Sequence, residues 1–162
     1  MLEARLTDSA QRTVIALPAI LGQGSPLEVL ARLKFEETGF HPLEERPLNL
    51  VEQLNQTFTY LASLRAARWI CANHPDAFPL RLNLGTASGF DIESADGSVV
   101  AETFATVSPT NNDKLDRDVE KIARAQHPNK YVFYICPGRI RCDDRQIDGV
   151  KIVQLDWPEK TG

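Results

Sequence analysis

The sequence predicts an α/β domain, a mixed β-sheet flanked by helices, and three observations predict it. Across residues 50 to about 72 the apolar positions Val51, Leu54, Phe58, Leu61, Leu64 and Ala67 recur at threes and fours, the period of a helix with one buried stripe. Three short runs of strand-forming residues follow, at 80–84, 90–93 and 98–107. A second helical stretch, 113–126, then separates them from the apolar run YVFYIC at 131–136. Three strands in succession pair as a meander, and a strand–helix–strand crossover implies a parallel pair.

The remaining elements follow in chain order. Residues 1–24 read as a short helix through Arg12, an apolar piece at 13–17, a break at Pro18 and a Gly-Gln-Gly loop. Ser25-Pro26-Leu27-Glu28 is a helix start: serine at the N-cap, proline at the first helical position and glutamate closing a capping box. Leu27, Leu30, Ala31 and Leu33 share one side of that helix, and Gly39 is expected to cap its C-terminus. Residues 40–47, with two prolines, read as a loop. Asn49 caps the long helix and His74-Pro75 ends it. Pro109 and the cluster Thr110-Asn111-Asn112-Asp113 form a turn and N-cap, after which Leu115, Val119, Ile122 and Ala123 mark a buried helical stripe. The run at 131–136 suits a central strand covered on both faces, and 150–155 a final strand.

A chain of 162 residues reads as one domain. It has an N-terminal helical extension over 1–47, a core over 48–136 and a C-terminal loop and strand over 137–162. Hydrophobic residues make up 43% and charged residues 25%, the balance of an ordinary globule. No apolar run approaches the roughly 18 residues of a membrane span. The N-terminal segment reads poorly as a signal peptide, so a cytoplasmic location is expected. Three cysteines, an odd number without C-x2-C spacing, fit a reducing compartment. A net charge of −4 argues against a protein that coats nucleic acid, although an acidic metal site offsets basic residues elsewhere.

The chemistry concentrates in GFDIESADGSVVAETFATV at 89–107. Asp91 opens one short strand, Ala95-Asp96-Gly97 makes a tight turn, and Glu102 sits in the middle of the next strand. Acids are depleted in strands, and a buried carboxylate without a partner costs several kcal/mol, about 2 or more by transfer measures. Glu102 therefore calls for a cation, an arginine or solvent. Neighbouring strands lie about 5 Å apart, so Asp91 and Glu102 can converge on one divalent ion. Alternation groups Val100, Glu102, Phe104 and Thr106 on one face, and Lys114, Asp118 and Lys121 share a face of the following helix. Gln53, Gln56 and Tyr60 line the polar side of the long helix, where they meet substrate or solvent. Arg139 and Arg141, in Cys136-Pro137-Gly138-Arg139-Ile140-Arg141-Cys142, reach a phosphate backbone or form a solvated loop. His41, His74 and His127 each precede proline and carry no assigned role.

Helix–strand–strand–strand–helix–strand, with an aspartate on the second strand and a glutamate on the third, resembles the restriction-endonuclease-like PD-(D/E)XK nuclease superfamily, over roughly residues 48–136. The resemblance implies an αβββαβ core, Mg²⁺ (or Mn²⁺) as cofactor, and hydrolysis of DNA phosphodiester bonds. It implies that Asp91 and Glu102 are catalytic acids and metal ligands, with the Thr103 carbonyl as a further ligand. Members often add a glutamate from the first helix, which is Glu52 here; the alternative is that Asn49…Glu52 is only a capping box. The family lysine lies two residues after the second acid, where this chain has Phe104. Two accounts stand open. Lys114 or Lys121 supplies the charge from the next helix, or the chemistry is weakened or lost and the fold serves as a non-catalytic module for a protein partner or homo-oligomer. On the nuclease reading, Gln53, Arg139 and Arg141 are the candidate substrate contacts.

Overall fold

The computed structural model describes residues 2–85, 88–108, 113–137 and 145–156. The chain divides into two compact units, Met1–Leu61 and Ala62–Gly162, with the division falling inside the long helix rather than before it. Among the described residues there are four helices, a two-stranded ribbon and a six-stranded mixed sheet.

The first unit begins with α1 (Leu2–Leu21), one continuous helix where a break at Pro18 is expected. Pro18 falls in the last turn, where the lost hydrogen bond is one of few still to be made, and its own carbonyl accepts from the Gly22 N–H at 3.2 Å. The buried stripe of α1 is Leu6, Ser9, Thr13 and Ile20. Its two hydroxyl residues hid the helical period from a reading by hydrophobicity. α2 (Pro26–Phe35) starts on the expected capping box, with Ser25 N–H donating to Glu28 Oε2 at 2.7 Å. It ends at Glu36, and Gly39 opens the ribbon β1 (Gly39–Phe40) and β2 (Pro47–Leu48) instead of capping it. Glycine is needed there for a different reason: a Cβ at position 39 would lie 2.2 Å from Gln53 Oε1.

α3 (Leu50–Asn73) contributes its first half to this unit and its second half to the next. Asn49 Oδ1 accepts from the Glu52 N–H at 2.9 Å, as an N-cap should. The expected stripe is misplaced at its start: Val51 and Leu54 are exposed, whereas Gln53, Tyr60, Leu61, Ala62, Ser63, Ala66 and Ile70 are buried. Small and polar residues allow the backbone close approach, which apolar counting does not register.

In the second unit, β3 (Leu80–Leu82), β4 (Ile92–Ser94) and β5 (Val99–Ala105) form the antiparallel meander. α4 (Lys114–Ala123) crosses to β6 (Asn129–Ile135), which pairs parallel to β5. A hairpin of β7 (Arg145–Ile147) and β8 (Val150–Leu155) completes the order β3-β4-β5-β6-β8-β7, with β8 parallel to β6. β7 was missed at the sequence level, although Asp148-Gly149 signals it; both residues have positive φ, 50° and 79°.

Both faces of this sheet are covered. On one, Val100, Phe104, Val132, Tyr134, Val150 and Ile152 pack against Leu115, Val119 and Ile122 of α4. On the other, Trp69 of α3 sets its ring against Tyr131 and Phe133, each 5.3 Å between centroids. Each fully buried side chain of this size contributes roughly 1.5–3 kcal/mol. The central strands β5, β6 and β8 therefore hold the acidic segment in place.

Candidate functional site

Asp91 sits just ahead of β4, at the point where backbone pairing between β4 and β5 stops. The last cross-strand partners are Ile92 and Ala101. Beyond them the Asp91 side chain takes over: its Oδ2 accepts from the Thr103 N–H at 2.8 Å and from the Thr103 hydroxyl at 3.1 Å. Its carbonyl accepts from the Asn83 N–H at 2.8 Å, so the residue is tied to the strands on both sides. The Thr103 hydroxyl is also 2.7 Å from Ser63 Oγ on α3. Either hydroxyl can donate in that pair.

Glu102 projects to the opposite face, toward α4. It is buried to 4% exposure, and its Oε1 accepts from Lys121 Nζ at 2.7 Å. The same nitrogen donates to the Gly89 carbonyl at 2.7 Å. Gly89 has φ +126°, a conformation that side-chain-bearing residues rarely adopt. Lys114, the other candidate, pairs with Asp118 instead: its Nζ is 2.7 Å from Asp118 Oδ1 and 5.8 Å from the centre of the Phe104 ring.

Asp118 is the residue that sequence reasoning undervalued. It is buried at 4% exposure, and its Oδ2 is sealed from solvent without a hydrogen-bond partner. The signal was present, since an acid on the same helix face as Leu115 and Ile122 must point toward the sheet. Burial pushes the carboxyl groups of both Glu102 and Asp118 above their ordinary range. Lysine pairing opposes the shift at each, while the Asp91 charge adds to it at both and the Asp118 charge adds to it at Glu102. The three carboxylates thus lie within electrostatic reach of one another.

Asp91 turns Oδ2 to Thr103 and Glu102 turns Oε1 to Lys121, so each of the two expected acids gives one oxygen to a protein partner. Among the described residues, no three His, Cys, Asp or Glu side chains are grouped to hold a metal ion. The Thr103 N–H and hydroxyl hold Asp91, a role not expected of it. Phe104 is buried at 4% exposure with its ring stacked on Tyr134, centroids 5.6 Å apart.

Gln53, expected on the polar side of α3, is 3% exposed. It is buried in the first unit, where its Oε1 accepts from the Thr13 hydroxyl at 2.7 Å and the Phe40 N–H at 3.1 Å. Its Nε2 donates to the Ser9 carbonyl at 3.2 Å. An amide with this many internal partners fastens α1 and the ribbon to α3. Glu52 is an exposed first-turn residue in that same unit. Arg139 and Arg141 lie outside the described residues.

The arrangement brings together a buried glutamate, a lysine bound to it and a glycine carbonyl, beside an aspartate fixed by backbone. Chemically it offers oxygen donors for a hard cation and an ammonium for an anion. No helix among the described residues is long and apolar enough to cross a membrane. No family model matches the chain, and no curated protein or solved structure matches it.

Proposed function

We propose that the protein is a metal-dependent nuclease of the restriction-endonuclease-like kind, acting on DNA phosphodiester bonds with activity weakened relative to a site that carries the motif lysine. The observation that carries this reading is the 2.7 Å hydrogen bond from Lys121 to Glu102. It supplies from α4 the positive charge that Phe104 cannot. The meander, crossover helix and parallel strand support reading an αβββαβ core, in which Asp91 and Glu102 would serve as the two acids.

The donor chemistry suits Mg²⁺ or Mn²⁺. Such ions take oxygen ligands and are commonly held by one or two carboxylates with waters completing the shell. Asp91 and Glu102 are the carboxylates that would hold the ion, and the Thr103 carbonyl is a further oxygen on the same strand. Crowded carboxylates that raise each other's proton affinity gain from a nearby cation. When bound, the metal supplies Lewis-acid activation of water and screening of phosphate charge. The rest falls to the chain's own groups. Thr103 holds Asp91 in one orientation, and Glu102 holds the Lys121 ammonium beside the place where charge develops on the phosphate. A preorganised donor of this kind lowers the barrier without reorganising during the reaction.

The test is plasmid nicking with Mn²⁺ or Mg²⁺ by the wild type, Asp91→Ala, Glu102→Ala and Lys121→Gln, with Mn²⁺ calorimetry alongside. Cleavage that depends on all three residues supports the reading. Cleavage surviving both acid changes places the chemistry elsewhere.

A second reading is favoured by a specific observation. With Phe104 packed in the lysine slot and no group of three metal-binding side chains among the described residues, the fold also suits a non-catalytic module. The first unit exposes Val14, Ile15, Leu27, Leu30 and Phe35, apolar surface of the kind used for a protein partner or a second copy. Absence of any Mn²⁺ binding heat at millimolar metal decides for it.

A further inference from the structure

Lys121 faces two ways. Its ammonium is bound to Glu102 and Gly89, yet its side chain is also part of the wall of a cleft of about 390 Å³ lined by Ser88, Gly89, Phe90, Lys121, Arg124 and Ala125. That volume lies at the lower end of the range of small-molecule sites, roughly 300–1,000 Å³. Lys121 and Arg124 are three residues apart on α4, so their charges fall on one face of the helix. Arg124 pairs with Glu120, but both side chains are largely exposed, and such surface pairs are weak enough to exchange for a phosphate.

Phe90 forms the apolar wall. Its ring is partly buried against the α4-side core, meets His127 edge-on at 5.9 Å and 82°, and has Lys121 Nζ 5.4 Å from its centre. The ring is thus fixed in place beside two cations. Ser88 and Gly89 complete the rim with small residues, which let a backbone or phosphate come close.

Two cations, an anchored aromatic ring and a small-residue rim match one ligand chemistry: a phosphate carrying an unstacked base. We infer that this cleft binds a single DNA strand at the nucleotide next to the scissile bond, with Lys121 and Arg124 on the phosphate and Phe90 stacking on the base. The inference rests on the nuclease reading above and names the form of its substrate. An unpaired strand, such as supercoiled plasmid exposes locally, is required because bases inside a duplex are already stacked on one another.

The experiment is fluorescence anisotropy with a labelled short oligothymidylate in EDTA, which prevents cleavage. A duplex of the same length and inorganic phosphate serve as competitors. Arg124→Gln and Phe90→Leu are compared with the wild type after thermal melts confirm folding; Arg124 is a surface residue and its variant keeps the test valid if Phe90→Leu does not fold. Arg124→Gln should weaken binding and reduce the slope of log affinity against log salt by about 0.7. Phe90→Leu should weaken the single strand roughly tenfold while leaving the salt slope unchanged. The duplex and inorganic phosphate should compete poorly. Unchanged affinity in Arg124→Gln, or duplex binding equal to that of the single strand, overturns the inference while metal-dependent nicking keeps the nuclease reading alive. A wild type that binds neither form of DNA overturns both.

Discussion

Lys121 and Glu102 form the central pair of the second unit, Nζ to Oε1 at 2.7 Å, with the glutamate buried and the lysine about half exposed. Removing the lysine leaves a buried carboxylate without its donor, a change that costs about 3–5 kcal/mol for a fully buried pair and less here because the lysine is partly solvated. Lys121→Gln should therefore lower stability by roughly 1–2 kcal/mol, read as a lower urea midpoint, and reduce nicking by about a hundredfold, the scale of losing one preorganised donor. Lys114→Gln, whose ammonium pairs with Asp118 instead, should leave most nicking intact. Equal losses in the two variants would show that Lys121 has no special place.

On the nuclease reading, Phe104→Lys puts a lysine two residues after Glu102 but should not give strong activity. Phe104 is buried, stacked on Tyr134 and packed with Leu115 and Val119 in the α4-side core. Loss of a buried phenyl ring costs about 3–5 kcal/mol, and an ammonium placed there must shed its charge or unfold its surroundings. The expected outcome is a large drop in melting temperature with nicking at or below the wild-type level. A stable variant that nicks faster would mean that the ring can be displaced and that the helix lysine is no substitute.

How far the sequence revealed this follows from what periodicity measures. The meander, the crossover helix and the central strand were legible because Val99–Ala105, Asn129–Ile135 and the Leu115/Val119/Ile122 stripe are apolar at strand or helix period. α1 and the first half of α3 were misread because Ser9, Thr13 and Gln53 are buried by hydrogen bonds rather than by hydrophobicity. At the site, strand alternation put Glu102 on the face with Phe104, and helix spacing offered Lys114 or Lys121, of which Lys121 bonds to Glu102. The Asp91–Thr103 clasp was not legible. It depends on β4 ceasing to pair one residue early, which side-chain patterns do not encode.

That clasp is itself testable. Thr103→Val keeps the shape of the side chain and deletes its hydroxyl, leaving Ser63 and Asp91 each without one buried partner. The cost should be about 0.5–1.5 kcal/mol for each hydrogen bond lost. The backbone N–H still holds Asp91 at 2.8 Å, so Mn²⁺ affinity should fall much less than in Asp91→Ala. A change in urea midpoint equivalent to under about 0.5 kcal/mol, within the range of a neutral surface substitution, would show that solvent already satisfies these groups.

The pH dependence of stability distinguishes burial from pairing at Glu102. Burial outweighs the lysine bond and holds its carboxyl above the ordinary value of 4.5, and Asp118 is likewise held above 3.8. The folded chain then binds more protons at these sites than the unfolded chain, so their contribution to stability falls as pH rises through the ordinary values toward the raised ones. Asp96 acts in the opposite sense and at lower pH. Hydrogen bonds from Ser94 and Ser98 hold it at about 2, so its stabilisation is present above 3.8 and lost as pH falls toward 2. Glu102→Gln keeps a hydrogen-bond acceptor for Lys121 but cannot ionise. In EDTA, its stability relative to wild type should therefore increase as pH rises from about 4 toward 7, measured as the difference in urea midpoint. A difference that shrinks over that range would mean that Lys121 holds Glu102 below its ordinary value and that the pair, not burial, controls this carboxylate.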